Sequence, residues 1–564
     1  MNAQSDGNLL LSVEDSRALD AEAQAEWGFN AFALIEAAGR LCADALVKTY
    51  PGLLENKPRI TVAAGAGNNA ADAMVMLRYY ILSSLADASL SGVVVSRMPK
   101  EGETGPWVEL LHSLEKMKVP VLAYGADDGL RAKDVLARSD IIIDAIAGTG
   151  LSGALRGTAA SMAEAVNTTE NSVAKTDERP LVVSVDLPSG LSEQWEPGMP
   201  IVKADLTLAI EPQKYCIYTP AARPYAGRIV PVRGVFPKEL TASYRGYRGA
   251  ELLEWESARE KIIKVRPDAY KNERGTVEIR AGSPGATGAA VIAGRGAQAA
   301  GAGMIRLVVD DGIYPIVASR ASSGIMVVPS GVALDSVASA GVPPAEAAEN
   351  NKPGDAVLLG PGWGRAESRA KEFERALARE KAGAPLILDA DAIELARGVV
   401  FNGNTILTPH PGEFSNFSGI DKEELLRRPA AILLEHSRKC NAVIVFKGHV
   451  ITIAAPDGRL GVVDGMLPGL ASGGSGDLLA GLCAGIAARM NAGKRARDVV
   501  GNADGIAARM ARRGGFDAYD CAAAAAALLI ASGGRLRTRF TDPLEIAHEA
   551  ANLAGEAWLA SYTC

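Results

Sequence analysis

The feature that most constrains this chain is an alternation of short Val- and Ile-rich runs with alanine-rich helical sequence, and it occurs twice. The first series reads RITVAAG, SGVVVSRM, DIIIDAIAG, LVVSVDLPSG, DLTLAI and RIVPVRGV. Runs apolar throughout, not at every second position, suit strands buried on both faces, and helices between them make the strands parallel. The alternation pauses over residues 238–262, KELTASYRGYRGAELLEWESAREKI, which reads as an inter-domain connection. A second series then begins: GTVEIRAGSPGATG, GMIRLVVD, DAVLLGPGWG, APLILDAD, NTILTPHPGE, AVIVFKG and HVITIAA. Two α/β domains are expected, residues 1–245 and 250–564, since 564 residues also exceed one ordinary core. Residues 13–48 open with helical sequence, KTDERP reads as an exposed loop, and CAAAAAALLIASGG reads as a packed helix.

Composition narrows what such domains do. A net charge of −7 and 5% aromatics argue against a nucleic-acid surface, though a small phosphate site needs only local N–H groups. The six cysteines form no CxxC pair, which suits a reducing, cytoplasmic compartment and offers no zinc site. The start, MNAQSDGNLL, lacks a basic segment followed by an apolar one, so no signal peptide is expected. No uninterrupted run of about 20 apolar residues appears, so no membrane span is expected either.

Open α/β sheets bind ligands at the carboxyl ends of their strands, and polar residues gather there in the first half. GAGNNAAD (65–72) lies between a strand-like run and a helical one, matching the loose dinucleotide pattern GxGxxG/A. The second strand, SGVVVSRMPK, has no acid at its tip, so ordinary NAD-dependent hydride transfer is disfavoured. Asp144 ends the strand of DIIIDAIAGTGLSG, and Asp186 that of LVVSVDLPSGL, with Ser189 and Gly190 in the turn. With Asn68, Asn69 and Asp72 these are hard oxygen donors suited to an alkali or alkaline-earth ion, although each acid alone is equally a helix N-cap.

In that order, over residues 13–240, GAGNNAAD, DAIAGTGL, SVDLPSGL and KADLTLAIEPQK resemble the N-terminal epimerase domain of NAD(P)H-hydrate repair enzymes. The resemblance implies a Rossmann-like three-layer fold that binds K+ and interconverts the R and S epimers of hydrated NADH or NADPH at C6 of the nicotinamide. It implies Asn69, Asp144 and Ser189 as potassium ligands. Asn68, Asn69, Ala70, Ala71 and Asp72 would hold the hydrated nucleotide with Gly148, Thr149, Gly150, Leu151, Ser152, Gly153 and Ala154. Asp186 would bind substrate and carry the proton chemistry. The family loop typically reads GNNGGDG, so Ala70 and Ala71 add a Cβ where the backbone either meets a phosphate or packs a helix.

The strongest local signal is GMLPGLASGGSGDLLAGLCAGIAAR, residues 465–489. Gly473, Gly474, Ser475 and Gly476 run into an apolar helix, whose first N–H groups form a concavity for an anion. Asp477 either acts as general base toward a hydroxyl attacking a terminal phosphoryl group or caps the helix. With YKNERGTVEIRAGSPGATGAA, LLGPGWG, LILDADAIELA, LTPHPGEF and VIVFKGHVITI, over residues 262–510, this loop resembles the ribokinase-like, ADP- or ATP-dependent NAD(P)H-hydrate dehydratase domain.

That second resemblance implies phosphorylation of the C6 hydroxyl of the S form and loss of phosphate, with Mg2+ on the donor phosphates and ADP favoured as donor. Lys447, Gly448, His449, Val450 and Ile451 would contact the adenine nucleotide, together with the glycine loop 473–476. Ala290, Gly364 and His410 would line the hydrated dinucleotide beside Asp477, the base. Asp389 and Asp391 either serve Mg2+ through water or fix the local turn. Two other readings stand: a ribokinase-like kinase of a small hydroxylated metabolite, and a first half that only binds a nucleotide or partner. A homo-oligomer is expected because related domains form multimers.

Overall fold

The computed structural model describes residues 8–127, 129–172, 179–244, 249–262, 264–332, 354–500, 516–537 and 540–559, without the side chains of 126, 127, 169–172, 332 and 494–500. Residues 175–178 of the expected exposed loop and 245–248 of the expected connection lie outside these. The chain forms two units, Met1–Glu251 and Leu252–Cys564.

In the first unit the apolar runs become β1 (Ile60–Ala64), β2 (Gly92–Val95), β3 (Val121–Ala123), β4 (Ile141–Ala145), β5 (Leu181–Val185), β6 (Leu206–Ile210) and β7 (Arg228–Val232). The three-residue strand β3 was not anticipated; VLA is too short to show a period. The order is β3-β2-β1-β4-β5-β6-β7, parallel throughout. This is the Rossmann order, and the chain reverses direction between β1 and β4, which opens a crevice at the strand carboxyl ends. The register Ala63–Asp144–Ser184 sets a serine beside the acid of β4.

The helix expected over 13–48 is two, α1 (Val13–Glu26) and α2 (Ala31–Thr49). Gly28 turns the chain at φ +75°, and the Asn30 side chain accepts the Ala33 N–H at 2.8 Å to start the second helix. Helix α3 (Asn68–Leu82) packs on α2 so closely that a Cβ on Gly39 would lie 2.5 Å from the Asp72 carbonyl oxygen.

The second unit contains β8 (Thr276–Arg280), β9 (Met304–Val309), β10 (Ile325–Pro329), β11 (Ala356–Leu359), β12 (Leu386–Leu388), β13 (Thr405–Leu407), β14 (Val443–Phe446), β15 (Val450–Ala454) and β16 (Leu460–Asp464). They run in the order β10-β9-β8-β11-β12-β13-β14-β15-β16, parallel as far as β14 and antiparallel beyond. Sequence pattern missed β10, a half-exposed edge strand ending in Pro329, and β16, interrupted by Gly461.

Helices α4 (Thr287–Ala299), α5 (Pro411–Ser418), α6 (Ser475–Val500) and α7 (Ala518–Arg535) cover this sheet. Glycines let α4 and α6 touch along their backbones: a Cβ on Gly481 would fall 2.2 Å from the Ala293 carbonyl oxygen. Leu478, Leu482 and Ile486 of α6 are fully buried, each contributing roughly 1.5–3 kcal/mol of hydrophobic stabilisation. That packing fixes the amino end of α6, and with it Asp477. The alanine run is the buried core of α7, as its composition suggested. Among the described residues no helix is long and apolar enough to cross a membrane.

Candidate active sites

In the first unit the segments after β1, β4, β5 and β6, neighbours in the sheet, converge at their carboxyl ends. Asp144 is fully buried. Its Oδ2 accepts from Ser184 Oγ at 2.7 Å and from the Ser189 N–H at 2.9 Å. Burial holds this carboxyl above its ordinary range in spite of those bonds. Ser189 Oγ accepts the Ala147 N–H at 2.9 Å, which ties the turn after β5 to the turn after β4. Gly148 lies against Asn69, where a Cβ would come within 2.9 Å of the Asn69 Cβ. Both amide atoms of Asn69 are buried without a hydrogen-bond partner. Unsatisfied buried amides are uncommon and call for an explanation. Asn69, Asp144, Ser189 and Gly148 are thus brought together.

A second cluster adjoins the first in sequence. Asp186 adopts φ +64°, a left-handed conformation rare outside glycine, and such strain gathers at functional sites. Its Oδ1 accepts from Lys214 Nζ at 2.7 Å and from the Ile210 N–H at 3.2 Å. Asp72 is buried one turn into α3; burial, then the charge of Asp186, pushes its carboxyl well above the usual range. Lys214 was not anticipated. It lies inside KADLTLAIEPQK, yet nothing in that string marks this lysine as buried. Pairing of Gln213–Lys214 with Leu10–Leu11 carries it inward.

The rest of the loop corrects one expectation. Ala70 and Ala71 are 1% and 0% exposed, and their methyl groups belong to the hydrophobic core between α3 and the sheet. They offer a ligand main-chain atoms only. Ala71 N–H makes an early helical bond, to the Gly67 carbonyl at 3.2 Å, so the amides of Asn68, Asn69 and Ala70 precede it at the helix start. Across from them, the carbonyls of Thr149 and Leu151 accept the Arg17 guanidinium. Gly150, Ser152, Gly153 and Ala154 complete that turn, with Gly153 at φ +76°.

In the second unit the carboxyl ends of β8, β11, β12, β13 and β14, again adjacent strands, carry the site. Lys447 Nζ lies 2.6 Å from Asp389 Oδ1 and 3.7 Å from Glu413 Oε2. Thr408 Oγ1 donates to the same Asp389 oxygen at 2.7 Å. A Cβ on Gly476 would sit 3.3 Å from Lys447 Nζ, so ammonium and glycine loop share one space. Burial opposes the charge on Lys447, but Asp389 and then Glu413 outweigh it and raise its pKa. Gly474 takes φ +98°, and Leu478 N–H bonds its carbonyl at 2.9 Å; the Ser475 N–H reaches the Ser472 carbonyl at 3.4 Å, leaving the amides of Gly476 and Asp477 at the open helix start. Burial, followed by the charge of Asp389, pushes the Asp477 carboxyl up to about 7, with Lys447 pulling the other way. A carboxyl that titrates near neutrality is suited to general-base work.

The remaining expected residues divide. Gly364, at φ +72°, donates its N–H to Asp391 Oδ2 at 2.9 Å, and Ser283 Oγ donates to the Gly362 carbonyl at 2.8 Å. Asp391 thus fixes the turn at Gly364, while Asp389 is engaged by Lys447 and Thr408. Ala290 is fully buried with its Cβ beneath Gly282, so only its main chain, in the first turn of α4, faces a ligand loop. Val450 and Ile451 are likewise buried strand residues, while Gly448 and His449 are exposed in the β14–β15 turn. His410 caps α5: its Nδ1 accepts the N–H groups of Gly412 at 3.0 Å and Glu413 at 3.3 Å, and Nε2 faces Glu413. The imidazole is committed to the helix start, which two flanking prolines could not reveal. Gly473 is exposed at the loop tip. Among the described residues no group of three or more His, Cys, Asp or Glu side chains gathers to hold a metal ion.

A doubly wound parallel unit with a polar crevice, and a mixed-sheet unit with a glycine loop and carboxylate at a helix start, define a Rossmann-like domain followed by a ribokinase-like one. Residues 31–216 match the family model described as YjeF-related protein N-terminus, and residues 277–529 that described as NAD(P)H-hydrate dehydratase. The bifunctional NAD(P)H-hydrate repair enzyme Nnr of Gloeobacter violaceus is 32% identical, over 81% of this chain and 84% of that one. Its counterpart in Salinibacter ruber is 30% identical, over 85% and 88%. The crystal structure of the ADP/ATP-dependent NAD(P)H-hydrate dehydratase from Bacillus subtilis, co-crystallized with ATP/Mg2+, is 25% identical with a TM-score of 0.41, over 54% of this chain and 98% of that one. The chain belongs to the family of bifunctional NAD(P)H-hydrate repair enzymes.

Proposed function

We propose that this protein restores hydrated NADH and NADPH, the second unit dehydrating the S form at the expense of a nucleotide and the first interconverting R and S. The observation that carries this is the Asp477 carboxyl, poised near pH 7 at a glycine-loop helix start beside the Lys447 ammonium. In the forward reaction Asp477 takes the proton of the C6 hydroxyl, whose oxygen attacks the terminal phosphorus of ADP or ATP. The nucleotide leaves shortened by one phosphate. The C6–O bond then breaks with loss of inorganic phosphate, and a proton leaves C5 to restore the ring double bond. A hydroxyl is a poor leaving group and phosphate a good one, which is why the nucleotide is consumed. The open amides of Gly476 and Asp477 and the ammonium of Lys447 stabilise charge on the transferring group. Mg2+ would neutralise donor phosphate charge; among the described residues no carboxylate cage is assembled for it, and it would arrive on the nucleotide.

In the first unit Asn69, Asp144 and Ser189 would hold K+, and the support is the buried, unpartnered amide of Asn69 against Gly148, in the turn that Ser189 and Asp144 tie together. The ion would supply positive charge next to the diphosphate. Asp186 moves the proton, with Lys214 holding it in place. ADP as the preferred donor, a cytoplasmic setting and self-association belong to the same reading; Cys42, Cys216, Cys440, Cys483 and Cys521 are free thiols, which suits a reducing compartment.

The test is direct. Purified full-length protein, given hydrated NADH with ADP or ATP, is followed by the absorbance of restored NADH. Recovery of the S form is expected with nucleotide and not without it. No recovery with either nucleotide defeats the dehydratase reading. Recovery of the R form no faster than its spontaneous epimerisation leaves the first unit as a binding domain.

A further inference from the structure

Asp389 is fully buried, carries an ion pair, and is given no part in the chemistry above. Its Oδ1 holds two donors at once, Lys447 Nζ at 2.6 Å and Thr408 Oγ1 at 2.7 Å. Thr408 is itself fully buried, so that bond does not exchange freely with water. Among the described residues Lys447 pairs with Asp389 and Glu413 and makes no ion pair with Asp477, although all four groups face one another. The backbone reinforces this arrangement. Lys447 N–H is fixed to the Pro409 carbonyl at 2.8 Å, and a Cβ on Gly360 would lie 1.7 Å from the Asp389 carbonyl oxygen, so β11 and β12 lock that turn.

We infer that Asp389 is a positioning residue for phosphoryl transfer: it holds the Lys447 ammonium over the glycine loop and keeps it from closing onto Asp477. The inference rests on the dehydratase reading. Without Asp389, Lys447 keeps only Glu413, at 3.7 Å, as a paired carboxylate, and the base Asp477 is the next carboxylate facing it. An ammonium bonded to Asp477 would both occupy the oxygen that must accept the hydroxyl proton and make that oxygen a weaker base. The charged groups facing Asp477 are Asp389 after β12, Lys447 after β14 and Glu413 in α5, with His410 beside Glu413. The buried thiol of Cys483 lies further along α6 and, pushed up to about 12, stays neutral.

Two variants of the full-length protein separate this from a merely structural role. With Asp389→Asn, the acid limb of kcat/KM for nucleotide-driven NADH recovery should move to lower pH by about one unit, while the plateau falls about 10- to 100-fold. With Lys447→Met the same limb should move to higher pH by about one unit. A structural defect lowers the plateau without driving the limb in opposite directions. An unmoved or raised limb in Asp389→Asn overturns the inference. Should that variant fail to fold, Lys447→Met decides alone, and an unmoved limb there overturns it equally. Wild-type protein that recovers no NADH at any pH sinks the dehydratase reading instead, so the two failures are distinct.

Discussion

The two units solve one electrostatic problem differently. Each buries a lysine at the carboxyl ends of its strands, and each lysine neutralises one carboxylate of a pair while the other is pushed up. In the first unit Lys214 bonds Asp186, and Asp72 is the raised group. In the second Lys447 bonds Asp389, and Asp477 is raised, to about 7. The difference lies in which member is proposed to move the proton. Asp186 is the lysine-bound carboxylate of its pair, whereas Asp477 is the member left unbound. An unbound, buried carboxyl such as Asp477 acts as a base only once deprotonated. The second crevice is therefore arranged to take a proton from a hydroxyl, whereas the first holds its proposed proton carrier in an ion pair.

The largest effect that would break this comparison comes from Asp477→Asn. Dehydration should fall about 10³-fold, within the range for loss of a general base, while epimerisation stays at wild-type rate in the same chain. Retained dehydration would remove Asp477 from the chemistry. Asp186→Asn comes next, with R-to-S conversion expected to drop about 100-fold and dehydration of the S form untouched. Asn69→Ala should then abolish any stimulation of epimerisation by K+ over Na+; stimulation that persists would place the ion elsewhere. A smaller effect sharpens the contrast. Since Asp477 must be ionised, dehydratase kcat/KM should climb as pH rises through about 7, losing roughly tenfold per unit below it. A dehydratase profile flat from pH 5 to 8 would show that the unbound carboxylate is not the base.

Much of this was legible in the residues. Apolar runs gave the parallel strands of both units, and polar residues at their tips gave Asp144, Asp186 and Ser189. GSGD marked the glycine loop at the start of α6, where glycine, amide and carboxylate come together. What stayed hidden was set by tertiary packing. Lys214 looks like an ordinary polar residue in the string, and neither it nor Asp389 shows its ion-pair partner there; both become buried partners only when distant strands bring a counter-charge. His410 looked like a ligand because histidine between prolines suggests a strand-end site; its local hydrogen bonds to Gly412 and Glu413 turn it into a cap. Ala290, Val450 and Ile451 lie in matching motifs, yet a motif does not say whether side chain or main chain makes the contact.

The smallest expected effect concerns the alanines of GAGNNAAD, where the alternatives were phosphate clearance and helix packing. Neither residue has a positive φ, and both methyls sit in the core formed with α2 and the sheet. Glycine at these positions removes a buried methyl and loosens the first turns of α3. Each substitution should destabilise the first unit by about 1 kcal/mol, from helix propensity and lost burial together. For a unit of this size that lowers its melting temperature by a few degrees per site. The epimerase rate of Ala70→Gly/Ala71→Gly should stay within about twofold of wild type, because the amides of Asn68, Asn69 and Ala70 that meet a ligand are present in both. A rate that rises with little loss of stability would mean the methyl groups obstruct the substrate after all. A lower melting temperature with an unchanged rate means that the loop has been sealed into the core without losing its anion-facing edge.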